Sequence, residues 1–183
     1  TCALPISEIR QRLGLTGKYG FVTLHRPSNV DVRETFAEIL SALDVIQKEL
    51  VLAFPVHPRT KARLEEFGFW EEVSRWPNLK LIEPVGYLDS LCLMTGATVV
   101  LTDSGGVQEE TTVLGTPCLT IRVNTERPVT VTEGTNTIVG ASHARIVEEA
   151  RKTIHGHGKR GRVPKYWDGR AAERIIEVLR QRK

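Results

Sequence analysis

The sequence predicts an α/β protein, a parallel sheet with helices on both faces. Three observations carry that prediction. Short runs of β-branched and apolar residues alternate with helix-length amphipathic stretches along the chain. The central run, Ala97 to Leu101, is continuous rather than alternating, as in a strand buried on both sides. Polar residues capable of chemistry follow the runs directly, and open parallel sheets collect function beyond the carboxyl ends of their strands.

Taken in order, Glu8 to Leu13 reads as the end of a helix, stopped by Gly14 and Gly17. Tyr19 to Leu24 is a strand that delivers His25, Arg26, Pro27, Ser28 and Asn29 to its end. Asp31 stands where it would cap a long amphipathic helix reaching about Leu50. Val51 to Val56 is the next strand, ending in His57, Pro58 and Arg59, with a helix near Lys61 to Phe67 behind it. Asn78 to Ile82 is a third strand, leading through Glu83 to Gly86 into a helix from about Tyr87 to Thr95. The central strand then enters a polar turn and a helix that Gly115 and Pro117 close. A strand at Pro117 to Ile121, a long polar loop through Asn124 to Pro128, and a short strand at Thr137 to Val139 follow. A helix from Ser142 to Ile154 finishes the core. The basic run His155 to Arg162 is expected to be a solvated, mobile loop, and a last helix, Gly169 to Arg182, stands apart behind it.

A chain of 183 residues is long enough for one domain with a real core. Its net charge of +3 comes from interspersed residues of both signs, so it carries no nucleic-acid footprint. No apolar run approaches the roughly 18 residues of a membrane span, so no membrane partner is expected. Three scattered cysteines without a C-x-x-C pair predict a reducing compartment, the cytoplasm. His155-x-His157 lacks the neighbouring ligands that a zinc site needs, so no metal is expected. The opening Thr1-Cys2-Ala3-Leu4-Pro5-Ile6-Ser7 is what a common sequencing adaptor encodes in frame. Residues 1–7 are therefore expected to be non-native, with a preceding domain missing and Cys2 not part of the protein.

The stretch Thr102 to Glu110 organises the rest. Strand, turn with two glycines and then helix place free backbone N–H groups and the positive end of a helix dipole at one point. A phosphate suits that point, and side chains at Gly105 and Gly106 would hold it away from the backbone. The plainer alternative is that Ser104 caps the helix, although Val107 sits where a capping box needs Glu or Gln. Glu110, about one turn into the helix, is placed to accept from ribose hydroxyls, or is simply an acid favoured by the dipole. Four strand ends bring His25 and Arg26, His57 and Arg59, Asp103 to Gly106, and Glu126 and Arg127 towards one rim. Together they predict a crevice for a doubly negative ligand, with Arg26 and Arg127 as forked donors.

HRPSNVD (His25 to Asp31), FPVHPRT (Phe54 to Thr60), LTDSGGVQEE (Leu101 to Glu110), LGTPCLTIR (Leu114 to Arg122) and TERPVTVTEGTNTIVG (Thr125 to Gly140) occur in order. In these the chain from about Glu8 onward resembles the non-hydrolysing UDP-N-acetylglucosamine 2-epimerases of bacteria. The resemblance implies a Rossmann-like domain, residues 8–168, as the second half of a two-domain GT-B-type architecture. It implies that residues 169–183 return to pack on the first domain. The implied activity interconverts UDP-N-acetylglucosamine and UDP-N-acetylmannosamine by eliminating and re-adding UDP, with neither metal nor NAD and in a cytoplasmic homodimer. Carried over by position, Ser104, Gly105 and Gly106 hold the diphosphate, Glu110 the ribose, and Arg127 a phosphate. His25 is then catalytic, His57 contacts the nucleotide, and the backbone at Val85 reads the uracil edge. Ser90 stands where the family often has an aromatic residue against uracil, which implies weaker base binding or a substitute wall from Tyr87.

Two alternatives share this architecture: the donor-binding half of a UDP-sugar glycosyltransferase, and a non-catalytic UDP-binding module. Relatives that hydrolyse the intermediate form a further variant. Sequencing the genomic locus checks the expected artefact. A start codon immediately upstream with a natural codon run for residues 1–7 refutes it, and an upstream first-domain reading frame supports it.

Overall fold

The computed structural model describes residues 7–181. The expectations for Thr1 to Ile6, and for the last helix beyond Gln181, fall outside them. One sheet of six strands runs through the molecule: β1 (Tyr19–Thr23), β2 (Val51–Pro55), β3 (Leu79–Ile82), β4 (Val99–Thr102), β5 (Cys118–Thr120) and β6 (Asn136–Ile138). The order is β3-β2-β1-β4-β5-β6 and every neighbouring pair is parallel. The helices are α1 (Ile9–Arg12), α2 (Pro27–Val30), α3 (Arg33–Gln47), α4 (Pro58–Glu66), α5 (Trp70–Val73), α6 (Tyr87–Gly96), α7 (Gly105–Leu114), α8 (Pro128–Thr132), α9 (His143–Lys152) and α10 (Ala171–Gln181).

The period of two along each strand divides the core into two layers. Val22, Leu52, Phe54, Leu101 and Leu119 meet Phe36, Ile39, Leu43 and Ile46 of α3 and Ile146 and Ala150 of α9. On the opposite face Tyr19, Phe21, Ala53 and Val100 meet Ile9 of α1 and Leu93 and Met94 of α6. The apolar residues of α3 recur at three- and four-residue intervals, which puts one stripe against the sheet. Each such side chain stabilises the fold by about 1.5–3 kcal/mol when fully buried. The expected sheet with helices on both faces is therefore the observed one.

Four expectations change. Asp31 does not cap α3, whose N-cap is Val32 without a side-chain bond. Its carboxylate instead accepts from Arg59 Nη2 at 2.9 Å and from Arg63 Nε at 3.0 Å. Charge-assisted guanidinium bonds outweigh one helix-end amide, and they hold the Asp31 carboxyl below its usual range. Second, α2, α5 and α8 are short helices that the sequence did not predict, and α2 and α8 each open on a proline at a first-turn position. Third, α4 begins at Pro58, with His57 Nδ1 accepting from the Arg59 amide at 3.2 Å.

Fourth, the basic run is not a free solvated loop. After a π-helical turn, Thr153–His157, it packs against the end of α8 and the start of β6. Lys159 Nζ donates to the Asn136 carbonyl at 2.9 Å and also to the Val131 carbonyl, while the Arg162 amide donates to Glu133 O at 2.8 Å. Burial lowers the Lys159 pKa from its ordinary value. The run thus takes one carbonyl of the β6 edge, that of Asn136, and is held otherwise by the end of α8. Beyond it, α10 buries none of its residues: Ile175 is 60% exposed, Ile176 50%, Val178 51% and Leu179 64%.

Gly161 lies directly on the Gly134 backbone, where an added Cβ would overlap the peptide of Gly134. Gly161→Ala is expected to displace the run and cost about 1–3 kcal/mol, as overpacking does. A urea midpoint unchanged from the parent chain contradicts this.

Candidate functional site

β1 and β4 are neighbours, yet the chain proceeds from β1 towards β2 and from β4 towards β5. The loops after them diverge and leave a crevice at the carboxyl edge, the point where open α/β sheets bind ligands. His25 and Arg26 follow β1, and Asp103 follows β4.

Asp103 is fully buried there. Its Oδ2 accepts from the His25 amide at 3.0 Å, the Arg26 amide at 2.9 Å and Asn29 Nδ2 at 3.2 Å. Its Oδ1 lies 3.0 Å from His25 Nδ1. Asn29 Nδ2 also donates to the Ile121 carbonyl at 2.7 Å, so one polar cluster ties together the ends of β1, β4 and β5. A buried carboxylate persists only when so satisfied. The His57 ring centroid is 5.5 Å from that of His25, and Thr60 Oγ1 donates to Leu24 O at 2.5 Å, which fixes α4 against the β1 end.

Ser104 stands at the N-cap of α7, the position of the plainer reading, but makes no side-chain capping bond. The first amides of α7, from Gly105 and Gly106 onward, have no partners within the helix. Neither glycine has positive φ. A Cβ at Gly106 would meet nothing within 4 Å, and one at Gly105 only Glu126 Oε2 at 4.0 Å. Neither backbone conformation nor internal packing requires these two glycines, and what their missing side chains leave is open space over the helix N-terminus. Glu126 stands beside that space with its charge paired: Arg122 Nη1 is 2.7 Å away, and this contact holds the carboxyl down to about 2.

Glu110 lies at the rim of a groove of about 410 Å3 shared with Tyr87, Leu91, Val113 and Trp167. Burial raises its pKa, the Tyr87 side chain opposes that by hydrogen bonding, and the neighbouring Glu109 charge adds to it. Arg127 Nε is 3.0 Å from Glu109, so its charge is paired on the same side of α7. Larger cavities lie along the β3 edge, about 620 Å3, over α9, about 850 Å3, and beside α2, about 450 Å3; of these only the last touches the site, through Asn29 and Arg122.

The structure therefore brings together His25, His57, the Arg26 backbone, Asp103 and the Ser104 to Gly106 turn, and places Glu110 and Arg127 along α7. Arg59 turns away to Asp31. Val85 packs its side chain against the inner apolar cluster, and Ser90 lies half-buried in the first turn of α6. No hydrogen bond or ion pair among the described residues joins either to the others. Nor do the described residues contain a group of three or more His, Cys, Asp or Glu able to hold a metal ion.

Sequence reasoning missed Gln108. Fully buried, it donates to Ser104 O at 3.2 Å, and its Oε1 accepts from Thr125 Oγ1 at 2.5 Å and Asn136 Nδ2 at 3.1 Å. Thr125 Oγ1 accepts in turn from the Arg127 amide at 2.9 Å. One amide side chain thus connects the glycine turn to the loop that carries Arg127. An amide within a helix reads as solvent-facing, and only its place on the buried side of α7 could have marked it.

The family model described as UDP-N-acetylglucosamine 2-epimerase matches residues 3–180. The UDP-N-acetylglucosamine 2-epimerase of Methanocaldococcus jannaschii is 40% identical over 163 residues, 88% of this chain and 44% of that protein. The UDP-2,3-diacetamido-2,3-dideoxy-D-glucuronate 2-epimerase of Pseudomonas aeruginosa is 41% identical over 174 residues, 91% of this chain and 46% of that one. The crystal structure of the M. jannaschii UDP-GlcNAc 2-epimerase in complex with UDP-GlcNAc and UDP superposes with a TM-score of 0.83 at 37% identity. That alignment covers 95% of this chain and 48% of the other. The chain thus spans about half the length of the relatives it matches.

Gln108→Leu would leave the half-buried Thr125 hydroxyl and the buried Asn136 amide each short of one hydrogen bond. It is expected to lower stability by about 1–3 kcal/mol, read as a lower urea midpoint at unchanged slope. An unchanged midpoint contradicts the network's role.

Proposed function

Because the chain belongs to the UDP-N-acetylglucosamine 2-epimerase family, we propose that it is the UDP-binding half of an enzyme that interconverts UDP-N-acetylglucosamine and UDP-N-acetylmannosamine. The observation that carries this reading is the open space over Gly105 and Gly106, framed by the free end of α7, the unengaged Ser104 side chain and the His25–His57 pair. A diphosphate fits a helix N-terminus stripped of side chains. Glu110 then accepts from the ribose, the Val85 backbone meets the uracil edge, and Tyr87, 64% exposed beside Glu110, supplies the flat surface that Ser90 cannot.

Elimination of UDP develops negative charge on the leaving phosphate oxygen. The α7 amides and dipole stabilise that charge, His25 donates to it from the ring, and Arg26 and Arg127 offset what remains. Arg127 reaches the phosphate by exchanging its Glu109 partner. The groups that move the C2 proton are assigned to a first domain, against which the exposed apolar stripe of α10 packs. The reading includes a homodimeric cytoplasmic protein serving polysaccharide biosynthesis. The free Cys92 and Cys118 support its compartment, and no helix among the described residues is long and apolar enough to cross a membrane.

One observation favours a second sugar: the Pseudomonas UDP-2,3-diacetamido-2,3-dideoxy-D-glucuronate 2-epimerase is 41% identical to this chain, against 40% for the M. jannaschii enzyme. Turnover of the two UDP-sugars by the complete protein decides between them.

Gly106→Ala is expected to leave thermal stability equal or slightly raised, because alanine favours a helix by up to about 1 kcal/mol. UDP affinity should fall at least tenfold in titration calorimetry, and unchanged affinity overturns the phosphate site. Ser90→Phe is expected to tighten UDP severalfold, and no gain removes the missing-wall argument. The 183-residue chain should bind UDP weakly and give no epimer by NMR of the sugar anomeric protons. Turnover by purified chain contradicts the assignment of the proton-transfer groups to another domain.

A further inference from the structure

We propose that Asp103 is a positioning residue that fixes both the tautomer and the direction of the His25 ring, with Nδ1–H bound to the carboxylate and Nε2 presented to the crevice. The inference deepens the reading above, in which His25 serves the leaving phosphate, but it rests on geometry that exists without a ligand.

The two carboxylate oxygens of Asp103 have divided duties. Oδ2 takes three donors whose hydrogens are fixed by chemistry: the His25 and Arg26 amides and Asn29 Nδ2. Oδ1 is 3.2 Å from the His25 amide and 3.0 Å from His25 Nδ1. A carboxylate is an acceptor only, so the ring atom facing it must carry the proton. The remaining nitrogen, Nε2, is left for solvent or ligand on a side chain 36% exposed. Asp103 has no exposure at all and is held by the backbone donors, so it cannot rotate to suit the ring. The ring must suit it. The His57 ring is the aromatic neighbour of His25, with centroids 5.5 Å apart.

The consequence for chemistry is directional. With Nδ1–H committed to Asp103, only Nε2 can accept or release a proton, and an imidazolium formed when it accepts one is compensated by the adjacent carboxylate. A buried acid that orients a histidine in this way is the logic of the aspartate in catalytic triads, where exchange for asparagine reverses the tautomer.

The same donor set makes the test sharp. In Asp103→Asn the three N–H donors at the Oδ2 position select the amide oxygen for that side. The amide NH2 then falls at the Oδ1 position, facing His25 Nδ1, and the ring must accept there and carry its proton on Nε2 instead. The experiment is 15N NMR of the uniformly labelled chain at a pH where the ring is neutral, with His25 assigned by loss of its signals in His25→Gln. Expected in the parent chain is a pyrrole-type Nδ1 and a pyridine-type Nε2, and in Asp103→Asn the reverse, with the amide fingerprint otherwise retained. An Nε2–H tautomer in the parent chain overturns the proposal, whether or not the asparagine variant folds, and so does a folded variant with an unchanged tautomer. A purely structural role for Asp103 would not move the tautomer. The measurement needs no UDP, so a chain that shows the expected tautomers but binds no nucleotide refutes the proposed function alone.

Discussion

Everything at the carboxyl edge of this sheet depends on one buried carboxylate. Asp103 follows the central strand β4 and accepts from the His25 and Arg26 amides in the loop after its neighbour β1. Without such a partner, the diverging loops at the switch point would each leave polar backbone groups unsatisfied in a dry position. The interaction couples fold to site directly, because the bonds that close the sheet edge also set where His25 can point. Asn29 extends the coupling to β5 through Ile121, and Thr60 extends it to α4 through Leu24.

A second polar cluster does the same on the other side of α7. Gln108, Asn136, Thr120, Thr125 and Thr130 form a connected set in which Thr120 Oγ1 donates to Asn136 Oδ1 at 2.6 Å. Such a core gives up some apolar burial and in return specifies a single arrangement of the loops above it. The two clusters flank the start of α7, so the glycine turn is held from both sides while its own mouth stays open.

The glycines separate into two kinds. Gly134 and Gly161 are required by close approach of the chain to itself, since an added Cβ at either would collide with neighbouring atoms. Gly105 and Gly106 meet no such obstacle. Glycine at a helix start, needed neither for strain nor for packing, lowers helix stability and leaves the N-terminus of α7 open. The same outward logic applies to α10, an amphipathic helix whose apolar residues face no partner among the described residues.

Sequence alone determined the class of fold, its six strands and the identity of the turn after Thr102, because buried parallel strands and glycine turns have local signatures. It also singled out His25, His57, Glu110 and Arg127 by their places at strand ends and on the following helix. It could not determine strand order, which rests on pairing between runs far apart in the chain, and so could not show that His25 and Asp103 are neighbours. For the same reason it assigned Asp31 to a cap, when two arginines from α4 claim its carboxylate, and the basic run to solvent, when Lys159 bonds the Asn136 carbonyl and Gly161 packs on the Gly134 backbone. Gln108 escaped notice because an amide's role depends on which face of its helix is buried. Local chemistry is written residue by residue, but partners are chosen by tertiary contact, where geometry and charge decide which donor reaches which acceptor.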